Sequence, residues 1–199
     1  MDRRLIVNLF LIVLLTCGAC SSPAGPAPVS DSQGTYSLET RTGVEEIDNI
    51  LTAVASGEPA QLEKLIALTT APCTTRDGLG GPPKCRDGEA EGTLVEALPV
   101  ISSEGSFVRR DELDNWTGVD ADSLFAVYRV SEDGINEQYY PRGEYAIVFL
   151  SAEHGMAVTL RILHGRVVRV DYLMYDSLRN LQSRVVQDSS EVILMSNIR

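Results

Sequence analysis

Apolar residues change their spacing partway along this chain, and that change divides it into parts. Val44, Ile47, Ile50, Leu51 and Val54 recur at three- and four-residue steps, which predicts an amphipathic helix over 44–56. Gly57 follows where a helix end wants positive φ, and Pro59 stands where a first helical turn tolerates proline. Leu62, Leu65 and Ile66 then form the inner face of a second helix, 59–68. Residues 70–92 are rich in glycine and proline and have no period. Residues 93–101 read as a strand, with Pro99 suggesting an edge or bulge, and 109–116 read as a short helix.

From 122 onward the period is two. Segments 122–130, 143–151, 156–163 and 166–174 read as antiparallel strands, with turns at Ala152-Glu153-His154-Gly155 and His164-Gly165. Strict alternation would put Leu124, Ala126, Tyr128 and Val130 on one core face, with Val158, Leu160 and Ile162 and with Val168, Val170 and Tyr172. It would put Arg129, Arg161, Arg169 and Asp171 on the wetter face, either as solvated charge pairs or as a recognition patch. In 176–199, Leu178, Leu181 and Val185 suit a short helix, with partial disorder expected towards the terminus.

The start of the chain has its own pattern. Arg3 and Arg4 precede an apolar run, Leu5–Leu15, that is too short to span a bilayer and reads as a signal peptide. Gly18 and Ala19 then precede Cys20. This resembles the bacterial lipobox, and the resemblance implies cleavage before Cys20 and acylation of that cysteine, with Cys17 as a competing site. The segment after it, with Pro23, Pro26 and Pro28, reads as a tether. The expected organisation is a signal peptide over 1–19, a lipid-anchored tether over 20–40, an α+β domain over 41–175 and a C-terminal segment over 176–199.

Composition narrows the partners. Net charge is −11, there are two lysines, and no basic run occurs. Residues 1–19 carry a net +1 (Arg3, Arg4, Asp2), so the remainder is near −12. Phosphate binding needs clustered cations, so a nucleic-acid partner and adsorption to anionic headgroups are both disfavoured. The expected membrane contact is the lipid anchor itself, on the outer side of a cell membrane or outer membrane. The expected further partner is a small molecule, another protein or a second copy of the chain.

With Cys20 acylated and Cys17 removed, Cys73 and Cys85 remain. A pair in an exported chain usually forms a disulfide, and one closing a loop of this size stabilises by ~3 kcal/mol in the chain-entropy model. The rival, a metal site, would need two further ligands, and only His154 and His164 could add imidazoles. No metal or cofactor is expected. Gly78-Leu79-Gly80-Gly81 precedes Pro82 and Pro83 rather than a helix, so it reads as turn chemistry and not as a phosphate cradle.

The order helix, helix, strand, short helix and four strands resembles the NTF2-like and cystatin-like α+β fold. Ser-Gly-Glu-Pro-Ala-Gln-Leu (56–62) is similar to its helical corner, and Gly-Arg-Val-Val-Arg-Val-Asp (165–171) to its last strand. The resemblance implies two N-terminal helices packed on a curved antiparallel sheet, here with a disulfide-closed loop. In such a cone, Trp116, Tyr128, Tyr145 and Tyr172 can line a pocket or simply pack the core. Gly-Leu-Gly-Gly-Pro-Pro-Lys-Cys (78–85) and Glu-Ala-Glu-Gly-Thr (89–93) also resemble uncharacterised bacterial exported lipoproteins. No catalytic constellation stands out, so a non-catalytic ligand- or protein-binding domain is the expected function. The alternative is a small-molecule enzyme using the cone pocket, with Tyr128 or Asp171 as acid–base group.

Overall fold

A computed structural model describes residues 34–103, 105–133, 138–151 and 154–197. The expected signal peptide, 1–19, Cys17 and Cys20 lie outside them. Helix α1 spans Glu45–Ala55 and buries Ile47, Ile50, Leu51, Ala53 and Val54. Its acidic first turn suits the positive end of the helix dipole. Asp48 reaches back to accept from the Thr42 N–H (2.7 Å), the Thr42 hydroxyl (2.8 Å) and the Gly43 N–H (3.0 Å). Gly57, at φ 66, lets the chain turn into the short α2, Pro59–Glu63.

The rest is dominated by one eight-stranded sheet: β1 (Thr69–Pro72), β2 (Leu94–Ile101), β3 (Ser106–Arg109), β4 (Ser123–Val130), β5 (Tyr145–Ser151), β6 (Met156–Leu163), β7 (Arg166–Met174) and β8 (Ser189–Met195). The strand order is β1-β2-β7-β6-β5-β4-β8, with β3 also on β2. Ala97 pairs with both Thr69 and Arg109, and Val100 with both Ser106 and Val170. One edge of β2 therefore serves β3, and the other is shared by β1 and β7. A short 3-10 helix, Arg110–Asn115, follows β3.

This corrects the expected architecture of two helices on a curved antiparallel sheet. The sheet is large and mixed, and the helices are few and short. β2 runs parallel to β7, and Ile66 makes a second parallel bridge to Val167. Backbone bonds from Val167 N–H to the Leu65 carbonyl (2.8 Å) and from Ala67 N–H to the Val167 carbonyl (2.9 Å) hold that bridge. They also draw Leu65 to Leu68, expected in the second helix, out of α2. Period two identifies a strand, but it carries no information about the direction of the strand beside it.

Both faces of the sheet are covered. α1 and α2 pack on one face with Leu124, Val127, Ile147, Phe149, Val158, Leu160, Ile162 and Val170. On the other, Leu181 and Val185 of α3 (Leu178–Asp188) pack with Phe125, Ala126, Tyr128, Ala146 and Val148. β5 is consequently buried at all of its positions. A bulge between Leu124 and Ala126 reverses the facing of β4, so Leu124 and Tyr128 lie on opposite faces rather than together.

Both ends of the domain meet the β4 edge. Tyr36, within the expected tether, exchanges backbone bonds with Leu124 (2.8 and 2.9 Å), and its hydroxyl donates to the Met195 carbonyl (3.1 Å). Tyr36 and Leu38 pack on the core. The short helix expected at Leu178, Leu181 and Val185 is α3, capped by Ser177, and residues 189–195, where partial disorder was expected, form β8 by pairing with β4.

The face expected to be wet holds a buried charged network instead. Tyr128, 3 % exposed, donates to Asp188 (2.6 Å), and Arg161 donates to the same Asp188 oxygen (2.6 Å) and to Asp171 (2.9 Å). Arg169, 3 % exposed, makes a two-pronged bond to Asp171 (2.7 and 2.9 Å) and donates to the Tyr140 and Pro141 carbonyls. Burial pushes the Tyr128 phenol up, so it stays neutral. Burial opposes the charge on Arg161, but the carboxylates of Asp171 and Asp188 outweigh it. Two cations face two carboxylates, and Asp188 fastens the α3–β8 junction to β4 and β6. Removing one partner from such a pair leaves a buried charge behind. Arg161→Met is thus expected to lower unfolding stability by about 3–5 kcal/mol, and Tyr128→Phe by about 1–2 kcal/mol. Denaturant titration checks both, and equal small losses would contradict a shared network.

Candidate functional site

The segment between β1 and β2 is built as an ordered loop. Its base extends the β1–β2 pairing: Cys73 N–H donates to the Thr93 carbonyl (2.8 Å) and Gly92 N–H to the Cys73 carbonyl (2.9 Å). An inner turn closes above it, with Thr74 N–H on the Pro83 carbonyl (2.8 Å) and Cys85 N–H on the Thr74 carbonyl (2.9 Å). Cys73 and Cys85 are joined by a disulfide, with Cα atoms 4.9 Å apart. Glu89 lies near the two sulfurs, but a disulfide has no thiolate to offer a metal.

Two carboxylates and one arginine fix this loop to the sheet. Glu91 accepts from the Thr74 hydroxyl (2.9 Å), the Thr75 hydroxyl (2.6 Å) and the Thr75 N–H. Arg109, at the end of β3 and 8 % exposed, grips Glu89 with both terminal nitrogens (2.6 and 2.8 Å) and donates to the Lys84 carbonyl (2.6 Å). Arg86 reaches outward to Asp111 (2.6 and 3.0 Å) and Glu112 (2.5 Å). The Arg109 bond, helped by the Arg86 N–H, holds the Glu89 carboxyl down at about 2. The Thr75 and Thr74 bonds hold Glu91 at about 2 as well.

What this frame presents is Gly78-Leu79-Gly80-Gly81. Gly80 and Gly81 take φ 68 and 73, a backbone that puts Leu79 at the tip. Tyr140 supports the turn from beneath by donating to the Gly81 carbonyl (3.2 Å), and its ring packs against Phe107 at 5.2 Å. Leu79 is 74 % exposed. A cleft of about 380 Å³ lies on each side of the tip. One is lined by Arg76, Asp77, Glu91 and Tyr139, the other by Arg86, Phe107, Arg109 and Glu112, and Lys84 borders both.

Of the four aromatics singled out in the sequence, one lies apart from the other three. Tyr128 lies on the α3 face, whereas Tyr145, Tyr172 and Trp116 pack on the α1 face. Burial pushes the Tyr172 phenol up, with the Trp116 indole acting in the opposite direction. Arg129 stacks over Tyr145 (4.6 Å to the ring centre) and donates to its hydroxyl (2.6 Å) and to Glu144 (2.6 Å). Arg129 is thereby separated from Arg161, Arg169 and Asp171. Cys20 lies outside the described residues.

A serine, a histidine and an aspartate do come together at the β5–β6 turn. Ser151 donates to Asp120 (2.9 Å), and His154 Nδ1 lies 3.2 Å from the Ser151 hydroxyl and 3.1 Å from Asp120. A nucleophile relay uses the two ring nitrogens separately, one for the hydroxyl and one for the carboxylate. Here one nitrogen faces both and the hydroxyl proton goes to the carboxylate, so the cluster ties the turn to the segment before β4. Neither this cluster nor the Arg109–Glu89 clamp has a local sequence signal, since their members are 31 and 20 residues apart.

No protein-family model, curated protein or solved structure matches the chain.

The carboxyl carbons of Glu89 and Glu91 should titrate near pH 2 by NMR rather than near 4.5. Because both folded values are depressed, their contribution to loop stability is full above about pH 4.5 and lost as pH falls towards 2. Midpoints near 4.5 would mean that the clamp does not hold in solution. Replacing both Cys73 and Cys85 by serine should cost about 2–4 kcal/mol in denaturant unfolding.

Proposed function

We propose that this chain is an exported bacterial lipoprotein whose domain offers the Cys73–Cys85 loop as a non-catalytic docking element for a protein partner outside the cytoplasm. The observation that carries the reading is Leu79, an exposed apolar side chain at the tip of a loop closed by a disulfide and clamped by Arg109. A loop ordered before contact loses less conformational freedom on binding than a free one. An apolar side chain between two clefts is the shape of an anchor that enters a partner's pocket.

The disulfide supports an oxidising compartment. Acylation of Cys20, after removal of 1–19, would hold the protein on the outer side of a cell membrane or outer membrane. From Cys20 to Gly34 is 14 residue steps. At about 3.3–3.6 Å each these reach at most roughly 50 Å, which keeps the domain close to the bilayer. Gly34 adjoins Asn197, beyond the end of β8, whereas the loop is carried by β1 and β2. From β2 to β8 is five steps in strand order, about 24 Å at about 4.8 Å per step. The start of the described chain, Gly34, and the docking loop thus lie at opposite ends of the sheet.

Two measurements test this. Mass spectrometry of the N-terminal peptide from the producing cell should show Cys20 as the first residue carrying acyl mass, and Cys20→Ser should release the protein from membranes. A photo-crosslinking residue at position 79 should trap a discrete envelope partner, and the same probe in the Cys73→Ser, Cys85→Ser background should not. A position-79 probe that traps nothing, beside a probe elsewhere on the domain that does, would move the docking site off the loop.

A further inference from the structure

Strand register sets two methionines and a histidine in one row. Met156 of β6 lies directly opposite Ser151 of β5 on one side and Met174 of β7 on the other. Directly opposed residues share a face of the sheet. Here it is the α1 face, because Phe149, Val158 and Tyr172, each two positions along its strand, pack there. His154, in the turn before β6, places Nδ1 3.2 Å from the Ser151 hydroxyl. The imidazole therefore joins the row at its Ser151 end, beside Met156. Methionine is among the residues most often buried, yet Met174 is 78 % exposed and Met156 is half-buried. The exposed end of the row is thus not packed core.

The bonds around His154 also assign its tautomer. Ser151 gives its hydroxyl proton to Asp120 (2.9 Å), and His154 Nδ1 contacts the same carboxylate oxygen at 3.1 Å. In the neutral ring the proton must then sit on Nδ1, since an ionised carboxylate only accepts. Nε2 keeps the lone pair, and among the described residues no hydrogen bond engages it. A carboxylate behind one ring nitrogen is the arrangement that orients a metal-ligating histidine and raises its basicity.

We propose that His154, Met156 and Met174 form a surface site for a copper(I) ion. Two thioethers and an imidazole are a soft donor set, which suits copper(I) and not the hard cations calcium and magnesium. The spacing fits one ion. Two steps of about 4.8 Å separate the ends of the row, with Met156 between them. An ion over Met156 is within reach of both methionine side chains, which are unbranched and adaptable. Three donors leave a side open at the exposed Met174, through which the ion enters and leaves. The charge of −11 favours the approach of any cation. Binding involves no change of oxidation state and does not depend on the docking loop.

The test is a titration of the untagged protein, purified in detergent from the producing cell, with copper(I) kept reduced by ascorbate. A chromophoric copper(I) chelator competes, and a thiol assay first establishes that no cysteine is free. One ion per chain should be withheld from the chelator. Met156→Leu, Met174→Leu and His154→Gln should each weaken binding by at least the roughly tenfold that loss of an outer-shell partner costs. Met195→Leu, on the opposite face, should leave it unchanged. Leucine for methionine nearly conserves volume, so these variants are expected to fold. Silver(I), which needs no reductant, should shift the methyl signals of Met156 and Met174 in carbon NMR and leave that of Met195 in place. Full transfer of the copper to the chelator would overturn the proposal. So would binding that survives Met156→Leu with Met174→Leu, or that is lost only when Cys73 and Cys85 are replaced by serine.

Discussion

Strand β5 lies inside the sheet with α1 against one face and α3 against the other, so none of its side chains reaches bulk water. Covering both faces removes the freedom that a half-solvated sheet would have. Every polar group on the central strands must then find its partner within the protein. Arg161 and Arg169, with no water-facing side to occupy, pair with Asp171 and Asp188, and Tyr128 completes the set. α3 is therefore held by charge as well as by Leu181 and Val185. The C-terminal strand follows from it, because Asp188 fixes the point where β8 begins.

The long loop between β1 and β2 is held in another way. The loop does not depend on burying its own apolar residues, since Leu79 faces solvent. It depends on covalent and ionic ties: the disulfide, Arg109 on Glu89, and Glu91 on the two threonines. These ties differ in what breaks them. Reduction removes the first, and acid removes the other two by protonating carboxylates held well below their ordinary range. A loop tied in these ways keeps its shape across the neutral range.

Sequence periodicity located α1 and the strands from β4 to β7 because each has a face, and a face shows as period 3.6 or 2. It did not reveal that the second face is also covered. Arg129, Arg161, Arg169 and Asp171 are charged, and a charged residue in an alternating strand reads as solvent-facing until the structure supplies its buried partner. One bulge was enough to move Leu124 across the sheet from Tyr128, and it leaves Tyr128 on the face opposite Trp116, Tyr145 and Tyr172. β1, β3 and β8 are four, four and seven residues long. The short ones carry too few positions for a pattern, and the apolar run of β8 has no alternation to betray its role.

The residues by themselves determined the Cys73–Cys85 bridge, the acidic balance and the Gly57–Pro59 corner. Each rests on local chemistry: two thiols with a flexible connection, a count of charges, and backbone angles open to glycine and proline. Tertiary structure alone decided the parallel pairing of β2 with β7, the burial of Arg161 and Arg169, the Arg109–Glu89 clamp and the place of β8 at the sheet's edge. Those depend on which distant segments become neighbours, and the free energy that selects neighbours is spread over the whole core rather than written in any one segment.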